Sequence, residues 1–552
     1  MSLSPGARLA RDLSVLLTAL GMLAGADAVA APVAPGGGYA DLLAFYRDFR
    51  AFQKPKLAGG VPDYTPAAMT AQKKELESYQ KRLAAIDPSA WPIPQHVDYQ
   101  VVRAEVNGLD FDLRVLRPWA NNPGFYVTVF TEESDQPKRE GPSAEGAVEL
   151  WNHTLPLTKE SAARIGAGVR AIPALLRQAR TNLTGSGRDL WIFGAKSVRQ
   201  QSADLAGFAA KLDASQGALK ADLARARQAT EDFATWLDAE APTKTAPSGV
   251  GIENYDWYIR NVQLVPSTWA GEVALMKREL ERATALLAMQ EIRNAGLPAQ
   301  VPVADAAEYD RRFNAGVTEY LAFLRDRDIL TIKPWMDGAL RARIGHYSPG
   351  PLEFFSAIDY RDPVLMRTHQ YHWIDKGWMA HETSTNPIRR DVRLYNLDDT
   401  RTEGFATAWE ELMLEAGLVD ARPRSHELVY ILIAQRAARA LGDLFMVANL
   451  MDLEEASAFA CANVPRGWLS LEGTLVRAEQ HLYIQQPGYG TSYLVGKREI
   501  DALIADRRRD LGDGFRMKEF MDAFNDVGLI PASLVRWEMT GKKSPELEKM
   551  LP

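Results

Sequence analysis

Residues 402–417 read TEGFATAWEELMLEAG. Taken as a helix, this stretch places Glu403 and Glu410, seven residues apart, on one stripe with Thr407 between them. Two carboxylates on one helical face ask for partners, and the nearest candidates lie upstream. Residues 366–382 read MRTHQYHWIDKGWMAHE and hold three of the eight histidines. On a helix His369 and His372 lie about 60° apart and share a face. Asp375 and Lys376 extend that face by a turn, whereas His381 points to the opposite side.

Two histidines facing a glutamate from a later helix make a workable metal set. Imidazole nitrogen and carboxylate oxygen suit zinc, and an open fourth position would hold a water. The zinc-peptidase pattern H-E-x-x-H is absent, because Gln370 stands where a basic glutamate should be. Glutamine cannot take a proton from water, so metal-assisted hydrolysis would lose its base. The alternative is that these histidines cap or hydrogen-bond a buried helix. His372 with Asp375 one turn on also has the spacing of an oriented acid/base pair. Lys376 reads either as a solvated lysine or as a base of lowered pKa.

Aromatic side chains crowd the same stretches. Tyr371, Trp373, Trp378 and Trp409 lie in or beside them, Phe354, Phe355 and Tyr360 just before, and Tyr483, Tyr489 and Tyr493 after. They read either as core or as a surface on which a flat ligand stacks. Arg389 and Arg390 could hold an anion or bridge to Asp391.

The rest of the chain has helical texture. Residues 69–86 align Leu76, Tyr79 and Leu83, and residues 99–116 align Val102, Val106, Leu109 and Leu113. Residues 159–182 form a long pattern in which Pro173 marks a kink or break. Residues 202–240, 257–289 and 306–327 are further helical stretches, and 241–251 (APTKTAPSGVG) is a linker by composition. These patterns predict a mainly α fold, with an N-terminal helical lobe at 31–240 and a C-terminal lobe carrying the site at 252–552.

The 552 residues carry a net charge of −7 without a basic run, which argues against a nucleic-acid partner. Gly488-Tyr489-Gly490 lacks the Gly-Lys-Ser/Thr ending of a phosphate loop, so no nucleotide cofactor is expected. At the N-terminus Arg8 and Arg11 precede an uncharged apolar run at 13–23, and Ala28-Val29-Ala30 gives a small-x-small cleavage pattern. Residues 1–30 therefore read as a secretory signal peptide, which predicts a periplasmic protein with no membrane span in its mature part. The single cysteine, Cys461, lies far from that site, so no lipid anchor is expected there and no intrachain disulfide can form.

At these residues the chain resembles the bacterial proteins of domain of unknown function 885, which are similar to zinc metallopeptidases. The hallmark of that family is H-E-x-x-P-G-H, followed some thirty residues on by E-G-W-A-x-Y-x-E. The second half resembles Glu403-Gly404-Phe405-Ala406-Thr407-Ala408-Trp409-Glu410. The later R-Y-x-x-x-P-G-Q-A-x-x-Y resembles Leu482 through Tyr493, and a closing Leu-Gly with Gly-x-x-Pro resembles Leu511-Gly512 and Gly528 to Pro531. Ile86-Asp87-Pro88 and LRVLRPW (113–119) share the family's texture. The resemblance implies a large multi-helix metallopeptidase-like fold with a central cleft.

The first half of the hallmark departs. If its His-Glu falls on His369-Gln370, its second histidine falls on Asp375. If its second histidine is His372, the first becomes Met366 and the glutamate Arg367. Both placements lack the catalytic glutamate, and Leu482 and Tyr489 replace the family's arginine and glutamine. The first placement leaves a metal set of His369, Asp375 and Glu403, with zinc as the metal. The leading expectation is an enzyme, lyase-type, working by acid/base or metal-assisted chemistry through His369, His372, Asp375, Glu403 and Glu410. Its substrate would be a small, aromatic compound held by Tyr371, Trp373, Trp409, Tyr483, Tyr489 and Tyr493. The alternatives are a zinc carboxypeptidase or dipeptidase with an unusual ligand set, and a non-catalytic binding protein.

Overall fold

The structure is a computed structural model that describes residues 37–551. The export signal read at 1–30 lies outside the described residues.

The fold is mainly α. Among the described residues β-structure is confined to an antiparallel pair, Leu57–Ala58 with Val61–Pro62, a parallel pair, Val129–Phe130 with Val148–Glu149, and one isolated bridge. Most periodic stretches are helices: Pro66–Ala84, Ile93–Phe111, Lys159–Asn182 and Ala306–Asp326. Pro173 is carried inside Lys159–Asn182 without ending it. Two expected single helices are each split in two. Residues 202–240 divide between Arg188–Ala210 and Gly217–Glu240, where Asp213 folds its carboxylate onto the Ser215 N–H and competes with helix continuation. Residues 257–289 divide between Ile252–Asn261 and Trp269–Arg293. There Leu264 turns left-handed (φ 53°) and Thr268 accepts from the Gly271 N–H to start the second helix.

One apolar core runs from Leu42 to Leu551. The 241–251 stretch is pinned against the end of another helix, with the Gly251 N–H donating to the Val447 carbonyl and the Gly249 N–H to Asn449 Oδ1. At the centre lies Ser425–Val447, buried along nearly its whole length. It packs on Trp269–Arg293, Leu453–Asn463, Leu475–Gln485 and Tyr489–Leu511. A helix apolar on all sides belongs inside a large core, and each fully buried Leu, Ile or Val contributes about 1.5–3 kcal/mol. This one also carries Gln435, Arg436, Arg439 and Asp443 inward, all buried.

The Asp399–Glu415 helix crosses Tyr489–Leu511 at two glycines. A Cβ on Gly404 would sit 2.4 Å from Gly496 Cα, and one on Gly496 would sit 2.1 Å from the Thr400 carbonyl oxygen. Only glycine allows backbones this close. The crossing brings Glu403 against Tyr489 and sets the geometry of the site.

Candidate metal centre

His369 and His372 do not share one helix. Asp362 caps Pro363–His369 by accepting from the Val364 N–H at 3.1 Å, the helix ends at His369, and Tyr371–His381 starts after Gln370. The rings still meet edge to face, 5.0 Å between centroids. Glu403 enters from the glycine crossing. Donor atoms of His369, His372 and Glu403 all lie within 4.8 Å of one another. His372 and Glu403 are buried, and His369 is 17% exposed.

Each ligand candidate has its own supports. His369 Nδ1 lies 3.1 Å from Glu410 Oε1 and 3.2 Å from Arg436 Nη2. Arg436 in turn grips Glu410 with both terminal nitrogens, at 2.9 and 2.7 Å. With Nδ1 so engaged, Nε2 is the nitrogen His369 has to offer. Glu403 Oε1 accepts from Gln136 Nε2 at 2.9 Å and from the Tyr489 hydroxyl, and Gln136 Nε2 lies 3.3 Å from His372 Nδ1. Burial raises the Tyr489 hydroxyl far above the usual phenol range, and the Glu403 carboxylate raises it further, so it remains a proton donor.

The facing atoms, His372 Nε2 and Glu403 Oε2, approach to 3.3 Å as an ion pair outside good hydrogen-bond geometry, and neither has another partner among the described residues. Burial works against the charged form of His372, but Glu403 and then Asp135 outweigh it and push the imidazole up to about 9. Burial likewise opposes ionised Glu403, and the neighbouring His372 overrides it, bringing the carboxylate down to about 2. Two buried donors that face one space with no partner but each other, in an imidazole–imidazole–carboxylate set, fit a zinc-type ion.

Asp375 is not in this group. It lies in a buried ion pair with Arg401, at 3.1 and 3.2 Å, so the clustered set contains His372 where Asp375 was expected. That pairing also takes Asp375 away from its expected role of orienting His372. Tyr371 and Trp409, expected to face a substrate, are core residues. Tyr371 is bonded to Asn525, Trp409 Nε1 donates to the Tyr320 hydroxyl at 2.7 Å, and both pack on Phe405. Trp373 is half-buried under the Arg343 guanidinium, 3.8 Å from its ring centre. Lys376 donates to Glu133 and to the Ser134 carbonyl, and Arg389 and Arg390 are held by carboxylates, Arg390 by Asp391 as expected.

Tyr489 and Tyr493 meet edge to face beside Glu403, with Tyr483 behind. Arg436 and Arg439 lie over the Tyr493 ring at 5.7 and 5.4 Å, and Arg439 is ion-paired to Glu479. These arginines, Arg401 and Gln136 were missed. Arg436 and Arg439 could have been flagged as charges inside an otherwise apolar helix pattern. Gln136 lies in a loop with no local signal.

No curated protein matches this chain. Two solved structures share its fold. A candidate lipoprotein of unknown function from Shewanella oneidensis is 15% identical, with a TM-score of 0.66, covering 91% of this chain and 100% of its own. A candidate lipoprotein from Colwellia psychrerythraea is 14% identical, with a TM-score of 0.64, covering 93% and 99%. The family model described as "Bacterial protein of unknown function (DUF885)" matches residues 50–327 and 372–539. The match resumes at His372, so His369 and Gln370 fall in the interior stretch between the two matched segments. The chain belongs to the DUF885 family.

Proposed function

We propose that this chain is an exported, metal-dependent enzyme that performs acid/base chemistry, elimination rather than hydrolysis, on a small compound. The observation that carries the reading is the convergence of His369, His372 and Glu403 donors, with His372 Nε2 and Glu403 Oε2 having no partner among the described residues but each other. These three residues would hold the ion. Zinc bound there would supply a Lewis acid that polarises a carbonyl or hydroxyl oxygen of the substrate.

The neighbouring residues can both take and give a proton. Of the nearby carboxylates, Glu410 is clamped by Arg436 and Asp375 by Arg401, whereas Asp135 and Glu140 have no ion-pair partner among the described residues, and Glu140, raised by burial and by Asp135, is the group available to take the substrate's proton. Gln370 has no proton-accepting carboxylate. Tyr489 holds a proton at its hydroxyl, on Glu403, and can donate it to a developing oxyanion. Tyr489 and Tyr493 give this side of the centre an aromatic wall suited to a flat compound, with Arg436 and Arg439, paired to Glu410 and Glu479, packed behind the Tyr493 ring.

The departures from the family hallmark are consistent with this. With His372 as the second histidine, Met366 stands at the first, one turn before His369, and Arg367 stands at the glutamate, paired to Asp359 at 3.0 Å. His369 thus supplies an imidazole from the next turn while the base is lost. Export is supported by the charge and apolar pattern of residues 8–30 and by the lipoprotein candidates that share the fold.

The test is to purify the protein, measure bound zinc, strip it with chelator, and screen peptides alongside small aromatic acids and phenols. The reading expects about one zinc, chelator-sensitive turnover of a small compound, and no peptide cleavage. Chelator-sensitive peptide cleavage would overturn it.

A further inference from the structure

We propose that a cavity of about 360 Å3, lined by none of the metal-centre residues, is a second binding site for a small monocarboxylate with an apolar body. Its walls come from the end of Ile93–Phe111 and the turn after it, from the loop carrying Lys138, and from the Tyr395–Asn396 turn.

Three independent features converge on it. The first is an unpaired charge set. Lys138 and Asp112 both line the cavity, and among the described residues neither side chain has a hydrogen-bond or ion-pair partner. They feel each other's charge without pairing, so both charged ends line the cavity without a direct partner. Burial pushes Asp112 up to about 7, against the pull of Lys138, which favours its uncharged, proton-donating form. Burial pulls Lys138 down from the usual lysine range, an effect that Asp112 and Asp399 oppose. An ammonium beside a protonated carboxyl suits a carboxylate, which accepts from both.

The second feature is backbone shape. Asp112 opens a π-helical turn, Asp112–Leu116, which ends in left-handed Arg117 (φ 43°). Opposite it, Tyr395 and Asn396 are consecutive non-glycine residues at φ 57° and 48°. Wide turns of this kind and side-chain-bearing residues in the left-handed region concentrate at ligand sites. The Tyr395 ring sits where a Cβ on Gly108 would be, 2.3 Å from the ring's Cδ2, so this packing requires glycine on the facing helix.

The third feature is the remaining wall. Leu109, Leu113, Trp119 and Phe125 supply an apolar surface, and the volume falls in the usual range for small-ligand pockets. Arg139, also on the rim, is stacked on Phe130, and Glu145 lies across from Lys54 at 3.9 Å. Lys138 is therefore the cation left for the ligand.

The test is calorimetric titration of the purified protein with phenylacetate, 4-phenylbutanoate and octanoate, with 4-phenylbutylamine as the charge-reversed control. At least one acid should bind saturably, and the amine should not. Lys138→Met should weaken the acid about tenfold or more, Lys138→Arg should restore most of it, and thermal melting confirms that both fold. His372→Ala should leave the acid's affinity unchanged, so this site stands or falls apart from the metal centre. No saturable binding by any acid, equal binding of acid and amine, or full affinity in Lys138→Met would overturn the proposal.

Discussion

Asp375 and Glu403 are both buried carboxylates that approach the His369–His372 junction, and their surroundings differ in one respect. Asp375 is closed by a guanidinium: Arg401 holds both its oxygens and also reaches Asn525. Among the described residues Glu403 has no arginine partner. It takes a glutamine N–H and a tyrosine hydroxyl on one oxygen and turns the other, with no further partner, toward His372. A buried carboxylate with both oxygens held by a guanidinium is a structural group. One facing imidazoles, with an oxygen to spare, is a ligand in waiting.

Removing the structural carboxylate should have the largest effect on stability. Asp375→Ala leaves Arg401 charged, buried and alone, and is expected to cost about 3–5 kcal/mol, read by urea or thermal unfolding. The paired replacement Asp375→Leu with Arg401→Met should recover most of that loss. Zinc content should stay unchanged in the folded fraction, and a fall in zinc stoichiometry instead would return Asp375 to the ligand set.

Glu410 lies between the two cases, since it orients His369 while Arg436 neutralises it. Glu410→Gln is expected to weaken zinc about 10–100-fold, read by competition with a chelating dye. An unchanged affinity would make Glu410 a purely structural partner of Arg436.

The third expectation concerns pH in metal-free protein. His372 is raised above its ordinary value, so its contribution to stability is complete below about 6.5 and is lost as pH rises through about 9. Glu403 is depressed, so its contribution is present above about 4.5 and is lost as pH falls through about 2. Melting temperature against pH should therefore fall on the alkaline side, and His372→Gln should flatten that arm. An unaltered alkaline arm would show that the pair is not the source.

The smallest effect is at the edge. Lys376→Gln breaks a partly exposed bridge to Glu133 and should cost about 1 kcal/mol or less, without loss of zinc.

The helices were legible because their apolar periodicity is local, as in Lys159–Asn182, where both ends agree with the pattern. The breaks near Asp213 and Leu264 were not, because a cap or a left-handed residue overrides the same periodicity within a few positions. At the site, His369, His372 and Glu403 could be named from residue type and spacing. Which carboxylate would be neutralised could not, since Arg401 reaches Asp375 across 26 residues and Arg436 reaches Glu410 across another 26. Gln136 meets Glu403 from 267 residues away, out of a loop without periodicity. Pairings of that range depend on helix packing, here on Gly404 against Gly496.

The central claim rests on one comparison of metal content. Purified wild-type protein, Glu403→Ala and Asp375→Asn would be loaded with zinc, dialysed, and measured by elemental analysis, with folding checked by circular dichroism. The account predicts about one zinc per chain in wild type and Asp375→Asn, and none retained in Glu403→Ala. Equal zinc in all three, or loss in Asp375→Asn with retention in Glu403→Ala, would contradict it.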